Sequence, residues 1–481
     1  MQAEELVKLV YEVQTLGCET QTIEIKAAQK GSPTKLYGTL SAFSNQDSGG
    51  IILFGINEES GFEIVGVYDP QDLQRHVAEQ CKQMQPAVRP LFTFCEIEGK
   101  KIVSAEIPSA DISERPVHYR GTGRVKGSFI RVGDADEPMS DYEIYSYDAY
   151  RRRVRDDIRV AENTSLSQFQ QDILNDYIKA VKKEKEHTSM LTGEKILNLM
   201  GIIKDGKPTL AGVLCFHEYP QALFPQLCIT AVVVPGVKIG DKGNEGERFS
   251  ANKRIEGTIK EMLDKTMLFI TRNMREKTII ENGKRNDKTE YPIDAVREVV
   301  INALMHRDYS IHTEGAPVRI LMFNDRLEII NEGGLYGKLT IDRLGEVHAD
   351  TRNQTLANIL EMQKIAENRY SGIPTIREEM AAHHLPEPVF ESKRGRFTVT
   401  LKNGFSSPIN DIILSDTIFS TVENKLIHFC KTPRNREEIA RFLGKTQYYA
   451  MKTYVEPLVE NGQLKMTIPE KPKSRKQKFY Q

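Results

Sequence analysis

Two groups of residues in this chain have types and spacings that can do chemistry. In Arg297-Glu298-Val-Val-Ile-Asn302-Ala303 a carboxylate and an amide stand four residues apart, on one face of a helix. Glu298 can orient or deprotonate a water for nucleotide hydrolysis, and the Asn302 oxygen can ligate a Mg²⁺ ion that bridges phosphates. The plainer alternative is two polar positions on an exposed helix. His306-Arg307-Asp308-Tyr309 follows, where a solvated cap is the plain expectation. Downstream come Asn331-Glu332-Gly333-Gly334-Leu335, after a predicted strand, and Tyr370-Ser371-Gly372-Ile373-Pro374, after a predicted helix. Glycine permits close backbone approach to a ligand, and its N–H can cradle phosphate. Either loop alone marks many turns; their order behind the acid–amide helix is more specific.

The second group lies near the N-terminus. Glu19 precedes Glu24-Ile25-Lys26, in which Glu24 and Lys26 share one face of a strand. With Glu58 after the next strand, these carboxylates can hold Mg²⁺ or Mn²⁺ beside a phosphate-rich substrate. A solvated strand face with one salt bridge is the alternative. Arg115, Arg120, Arg124, Lys126 and Arg131 are candidate phosphate contacts, or an ordinary solvated loop. At the other end, Gln447–Glu460 carries Tyr448, Tyr449, Lys452 and Tyr454, and a basic tail includes Lys465, Lys471, Lys473, Arg475, Lys476 and Lys478.

The elements that must position these residues follow from periodicity. The pattern predicts strands at Thr22–Lys26, Ile51–Ile56, Leu91–Glu98, Lys101–Ile107 and Ser128–Val132, with helices at Met1–Tyr11 and Thr34–Ser44. Tyr147–Val160 reads as an arginine-rich exit helix. A helix at Gln168–Lys185, a strand at Leu227–Val234, a helix at Glu256–Met274 and a charged loop at Gly283–Lys288 come next. Pro292–Met305 is the helix of the acid–amide pair, its proline suited to a first turn. Val318–Phe323 and Leu327–Ile330 form a hairpin-like pair; a helix at Thr355–Glu367 and a strand at Arg396–Leu401 close this part. After Ser406–Asn410 the pattern reads three helices and a basic hairpin.

A chain of 481 residues is long enough for three or four domains at roughly 100–200 residues each. Lys and Arg (66) nearly balance Asp and Glu (67), so nucleic-acid affinity has to come from local patches rather than from a global basic field. The six cysteines show no Cys-x-x-Cys spacing and read as reduced thiols of a cytoplasmic protein. No apolar run approaches the ~18–20 residues of a membrane-spanning helix.

Two resemblances add to this reading. Glu19…Glu24-Ile-Lys26, Ser41-Ala-Phe-Ser-Asn45, Gly49-Gly50-Ile-Ile-Leu-Phe-Gly55-Ile-Asn-Glu58, Arg115-Pro116 and Phe129-Ile-Arg131-Val-Gly133 resemble the Schlafen/AlbA-like DNA-binding domain. That likeness implies nucleic-acid binding, as in bacterial transcriptional regulators. It also implies the alternative of a metal-dependent nuclease for stress or phage defence, with Glu19 and Glu24 as the first two acids of its triad. The spelling N-A-L-x-H-R-D-Y, D-R-x-E-I-x-N-x-G-G-L, T-R-N-Q-x-L-A and S-G-I-P resembles the diverged GHKL ATPase branch called RecG-like C-terminal or divergent AAA. This second likeness implies ATP and Mg²⁺, with Glu298 as water-activating acid and Asn302 as metal ligand. It sets Asn331 at the adenine-reading position with Gly333 and Gly334 behind it, and Ser371 and Gly372 in the lid. His306, Arg307, Asp308, Arg352 and Asn353 fall in its motifs. The Gln447–Glu460 stretch resembles the recognition helix of a winged helix, with Lys452, Lys473 and Arg475 toward nucleic acid.

The expected architecture is therefore α+β and multidomain. A Schlafen/AlbA-type domain spans 1–160, a mixed connecting region 161–290, a GHKL-like ATP-binding sandwich 291–404, and a winged-helix module 405–481. GHKL relatives often dimerise, so a homo-oligomer is expected.

Overall fold

The first helix, α1 (Ala3–Leu16), buries Leu6, Val10 and Val13, an i, i+4, i+7 stripe whose burial stabilises by about 1.5–3 kcal/mol per side chain. In this computed structural model the described residues are 1–243, 245–281, 284–347, 350–366, 372–404, 426–427, 429–443, 447–461, 463–470, 474 and 477–480; for 276–281, 284–288, 448, 449, 453 and 460 the description is of the backbone. Strand β1 (Ile23–Lys26) runs parallel to β2 (Gly50–Phe54), and α2 (Tyr37–Asn45) makes the crossover. Gly50 is required here: a Cβ would stand 2.3 Å from the Phe43 ring. Helix α3 (Pro70–Lys82) starts on Asp69, whose carboxylate accepts from the Gln71 and Asp72 N–H groups. Strands β3 (Leu91–Ile97) and β4 (Lys100–Ile107) form a hairpin, turning through Glu98 and Gly99 with positive φ at both. The sheet order is β1–β2–β4–β3. A short helix, α4 (Gly123–Gly127), then leads to a second hairpin, β5 (Phe129–Val132) with β6 (Ala135–Pro138).

Helix α5 (Asp141–Arg151) opens with a Ser140/Glu143 capping box. It ends well before the expected Val160, because Arg153 turns into the left-handed region at φ +53. Helices at Gln171–Glu184, Gly193–Leu199 and Leu210–Phe216 follow. The next elements are β7 (Ile229–Val233), β8 (Ala251–Ile255), α6 (Ile259–Asn273), β9 (Glu276–Glu281), β10 (Lys284–Thr289), α7 (Ile293–His306), β11 (Val318–Met322), β12 (Arg326–Glu332), α8 (Gln354–Met362), α9 (Gly372–Ala382), β13 (Val389–Lys393) and β14 (Arg396–Lys402). The charged stretch expected as a loop is thus one arm of the β9/β10 antiparallel pair. The S-G-I-P stretch expected in a lid loop opens α9 at Gly372, where Pro374 fits the first turn.

These strands form a six-stranded sheet, β8–β7–β11–β12–β14–β13, parallel only at β7/β11. Pleating splits its residues: Ile320, Met322, Leu327 and Ile329 enter one extended core. Leu321, Phe323 and Ile330 join Val234 in a smaller cluster. The extended core runs from Ala161 to Leu401, so residues 161–290 and 291–403 share one interior. Asp157 ties this core to α8, its carboxylate accepting from the Thr355 N–H at 2.7 Å.

Met1–Asn403 forms one compact unit and Gly404–Gln481 a second. In the second, Leu426, Cys430, Ile439, Val455, Leu458, Leu464 and Phe479 make the core. A helix at Arg436–Leu443 is followed by Gln447–Glu460, whose middle turn, Met451–Val455, is π-helical. Pro457 lacks the N–H that would continue the regular ladder there. Lys478–Tyr480 pairs with Arg434–Asn435 and Lys465–Met466. Among the described residues all six cysteines are unpaired, and no helix is long and apolar enough to cross a membrane.

Candidate functional site

Helix α7 carries Glu298, Asn302 and His306 at successive four-residue steps, and all three line one cavity of about 170 Å³. Asn331, Gly333 and Gly334 reach it from β12 and its turn, Arg352 from the approach to α8, and Gly372 from the start of α9. Apolar walls come from Ile373, Ile376, Phe397 and Val399. The Asn302 Nδ2 donates to Glu298 Oε1 at 3.0 Å, which leaves the amide oxygen as the available acceptor. Two glycines are dictated by space. A Cβ on Gly372 would stand 2.3 Å from Glu298 Oε1, and one on Gly333, already at φ +99, would stand 2.7 Å from the Asp308 backbone nitrogen. The His306 ring is open to the cavity. Protein crowding and the nearby Arg352 charge lower its basicity below the ordinary imidazole value.

Behind the cavity sits a buried polar chain. Asp308 accepts from the Ser310 N–H at 2.8 Å, the Tyr142 hydroxyl at 2.8 Å and Arg352 Nη1 at 2.7 Å. Burial alone would raise the Asp308 carboxyl, but Arg352 and these hydrogen bonds hold it below the usual carboxylate range. Arg352 also donates to the Gly334 carbonyl at 3.4 Å and lies over the Tyr336 ring. Its Nε is buried with no partner among the described residues. Tyr142 belongs to α5, as does Tyr150, whose hydroxyl donates to Asp350 at 3.2 Å. Lys338, on the turn after β12, pairs with Asp111 at 2.7 Å. The pocket is therefore bonded to the N-terminal segment at several points.

Three expected nucleotide contacts do not line the cavity: Asp308, which stands behind it, Arg307 and Asn353. Arg307 is 1% exposed and donates to the Thr313 and Ala316 carbonyls, so it shapes the 308–316 loop. Asn353 donates to the Met305 and Arg307 carbonyls, capping the end of α7. Neither lines the cavity, because both spend their donors on backbone carbonyls. Sequence reasoning missed Tyr142, Tyr150, Tyr336 and Asp350. The α5 tyrosines at 142 and 150 fall on one face by spacing, which is the one signal that could have found two of them.

The N-terminal acids converge, but on cations. Glu24 pairs with Arg131 Nη1 at 2.8 Å and with Lys26, while Glu19 Oε1 accepts the Ile25 N–H at 2.7 Å. Arg131, its side chain 1% exposed, also reaches Asp136 at 3.0 Å and Glu19 at 3.5 Å. Burial pushes the Glu19 carboxyl up to about 7, with Glu24 and exposed Glu58 adding repulsion. Among the described residues no group of three or more His, Cys, Asp and Glu side chains is placed to hold a metal ion. Of the expected Glu19/Glu24/Glu58 set, Glu24 and Glu19 both face the Arg131 guanidinium.

Arg131 is accordingly internal rather than a phosphate contact. So is Arg115, buried and donating to Asp47 at 2.8 Å and to the Ala110 carbonyl at 3.0 Å. Arg124 pairs with Asp148 at 2.8 Å, and Lys126 is exposed. In the second unit Lys452 lies in the π-helical turn. Ser371, Lys473 and Arg475 lie outside the described residues.

Comparison with known proteins gives three family matches. Residues 19–140 match the model "Schlafen, AlbA_2", and residues 315–401 match "Putative ATP-dependent DNA helicase recG C-terminal". Residues 422–480 match "Filamentation induced by cAMP protein Fic-like, C-terminal domain". No match is found among curated proteins. Among solved structures, the DIP2311 protein from Corynebacterium diphtheriae is 18% identical over 95% of this chain and 92% of that chain, with a TM-score of 0.40. A domain titled "N-terminal Domain of Putative ATP-dependent DNA Helicase RecG-related Protein", from Nitrosomonas europaea, is 27% identical. It covers 28% of this chain and 92% of that chain, with a TM-score of 0.23.

Proposed function

From a chain that joins a Schlafen/AlbA_2 segment at 19–140 to a RecG-type C-terminal segment at 315–401, we propose an ATP-responsive nucleic-acid-binding protein, acting as a regulator in the cytoplasm. ATP occupies the α7 cavity, and its binding alters the grip of the N-terminal segment on nucleic acid. The residues present fit a nucleotide. Asn302 would hold its Mg²⁺, Asn331 would accept from the adenine amine, and the Gly333–Gly334 turn leaves room for close backbone approach. The unpartnered Arg352 Nε is a donor suited to an anionic ligand. Mg²⁺, when bound, neutralises phosphate charge. Glu298, hydrogen-bonded to Asn302, is the group that would orient or deprotonate a water.

The observation that carries the coupling is the Tyr142–Asp308–Arg352 chain. It runs from the exit helix of the N-terminal segment to a residue lining the cavity. Coupling requires that nucleotide bind two arrangements of this chain with different affinity, and a change at Arg352 would be felt directly at Tyr142. A GHKL-type sandwich is supported by the six-stranded sheet and the α7 cavity, and a winged helix by the helices and three short strands of the second unit.

Calorimetry with Mg-ATP, on wild type and Asn302→Ala, tests the pocket; heat from wild type and none from the variant is expected. Nucleic-acid affinity measured with and without Mg-ATP tests the coupling. Equal affinities would remove the responsive part while leaving the pocket intact.

A further inference from the structure

The buried arginines offer no nucleic-acid surface, because Arg115 and Arg131 are taken by internal carboxylates. One exposed region of the N-terminal segment combines aromatic faces with uncommitted cations. Tyr37, at the start of α2, and Tyr119 stack face to face, with centroids 3.7 Å apart and planes 14° apart. The stack is held rigidly. The Tyr37 hydroxyl donates to Gln83 Oε1 at 2.8 Å. The Tyr119 backbone pairs with Met84, and Gly121 packs so close that a Cβ would stand 2.5 Å from the Tyr119 ring. Both rings are half-buried, so part of each meets solvent.

Four exposed cations stand within a few residues of the stack or on the helix beside it. Lys35 precedes Tyr37, Lys82 precedes Gln83, Arg120 follows Tyr119, and Lys126 lies on α4, which packs against α2 and the Tyr119 strand. None of the four has an ion pair among the described residues. The nearby acids Asp136 and Asp148 are already paired with Arg131 and Arg124.

We propose that Tyr37 and Tyr119, flanked by Lys35, Lys82, Arg120 and Lys126, form a platform for single-stranded nucleic acid. This rests on the nucleic-acid reading above and narrows it to a place and a strand state. An unpaired base extends an aromatic stack by adding its own face, whereas a duplex keeps its base faces covered and offers only phosphates. The cations track the backbone, and the rigid rings give stacking without an ordering cost in the protein.

The test is fluorescence anisotropy of the full chain with labelled strands of about 12 nucleotides. The probes are oligo-dT, oligo-U, an abasic phosphodiester of the same length, and a duplex. Wild type binds dT or U more tightly than the abasic strand and the duplex; which of the two is preferred separates DNA from RNA. Tyr37→Leu weakens the base-bearing strands by roughly 5- to 100-fold and leaves the abasic strand unchanged, while Tyr37→Phe retains binding. Arg120→Ala weakens every probe and flattens the log–log salt dependence by about 0.7. Thermal melts of each variant confirm the fold. The platform is overturned if folded Tyr37→Leu binds dT and U like wild type, or if the duplex binds as well as the strands. Should wild type bind none of the probes, the nucleic-acid reading itself falls and the platform with it.

Discussion

Replacing Asp308 by Asn changes one atom type in a side chain that is 1% exposed and removes the carboxylate charge that pairs with Arg352 Nη1 at 2.7 Å. Arg352, its side chain 10% exposed, would then be a buried cation without its counter-ion. Removing one partner of a buried pair costs roughly 3–5 kcal/mol. Asn keeps an oxygen for the Ser310 N–H or Tyr142, so about 3 kcal/mol is expected. The unit Met1–Asn403 unfolds with an entropy of about 0.8 kcal/mol/K at the per-residue average, so the melting temperature should fall by about 4 °C. The pH dependence has a definite sign. The carboxyl is held below its ordinary range in the fold, so its contribution is present above the unfolded value near pH 4 and is lost as pH falls toward the folded one. The gap between wild type and variant should therefore close in acid. Differential scanning calorimetry at neutral and acid pH reads both effects. A shift under about 1 °C at neutral pH, or a gap that widens in acid, would refute the argument that this pair holds the pocket together.

Other consequences are equally measurable. Glu19 titrates near 7 in the fold against 4.5 ordinarily, so stability falls as pH rises between those values. Glu19→Gln, which still accepts from Ile25, should stabilise the fold above pH 7, by at most about 3 kcal/mol, and change little near pH 4; a lowered melting temperature above pH 7 would contradict this. Gly372→Ala should displace the Glu298 carboxylate at modest stability cost, because the obstructing atom ends a flexible side chain. Calorimetry should record at least a tenfold loss of Mg-ATP affinity. Asp157→Ala removes the acceptor for the Thr355 N–H and should cost about 1–2 kcal/mol in urea unfolding, with nucleotide affinity retained.

Local chemistry was legible wherever it followed from spacing along one element. The step from Glu298 to Asn302 put both on one helix face, and His306 continued it. Pattern alone located most strands and helices, with errors where composition misled: the charged 283–288 stretch hid a hairpin arm although Asn282-Gly283 is a strong hairpin signal. Glu19 and Glu24 stand out by type and spacing, yet their partner is not readable from the sequence. Arg131 arrives from a hairpin more than a hundred residues away, and its guanidinium pairs with both acids. In the same way Arg307 and Asn353 looked like pocket residues because they sit inside a motif, and only the fold shows their donors pointing at backbone carbonyls. Residue type and period fix which groups can act and on which face of an element they lie. Burial and counter-charges depend on which elements meet, and those contacts join residues too far apart in the chain for any local pattern to encode.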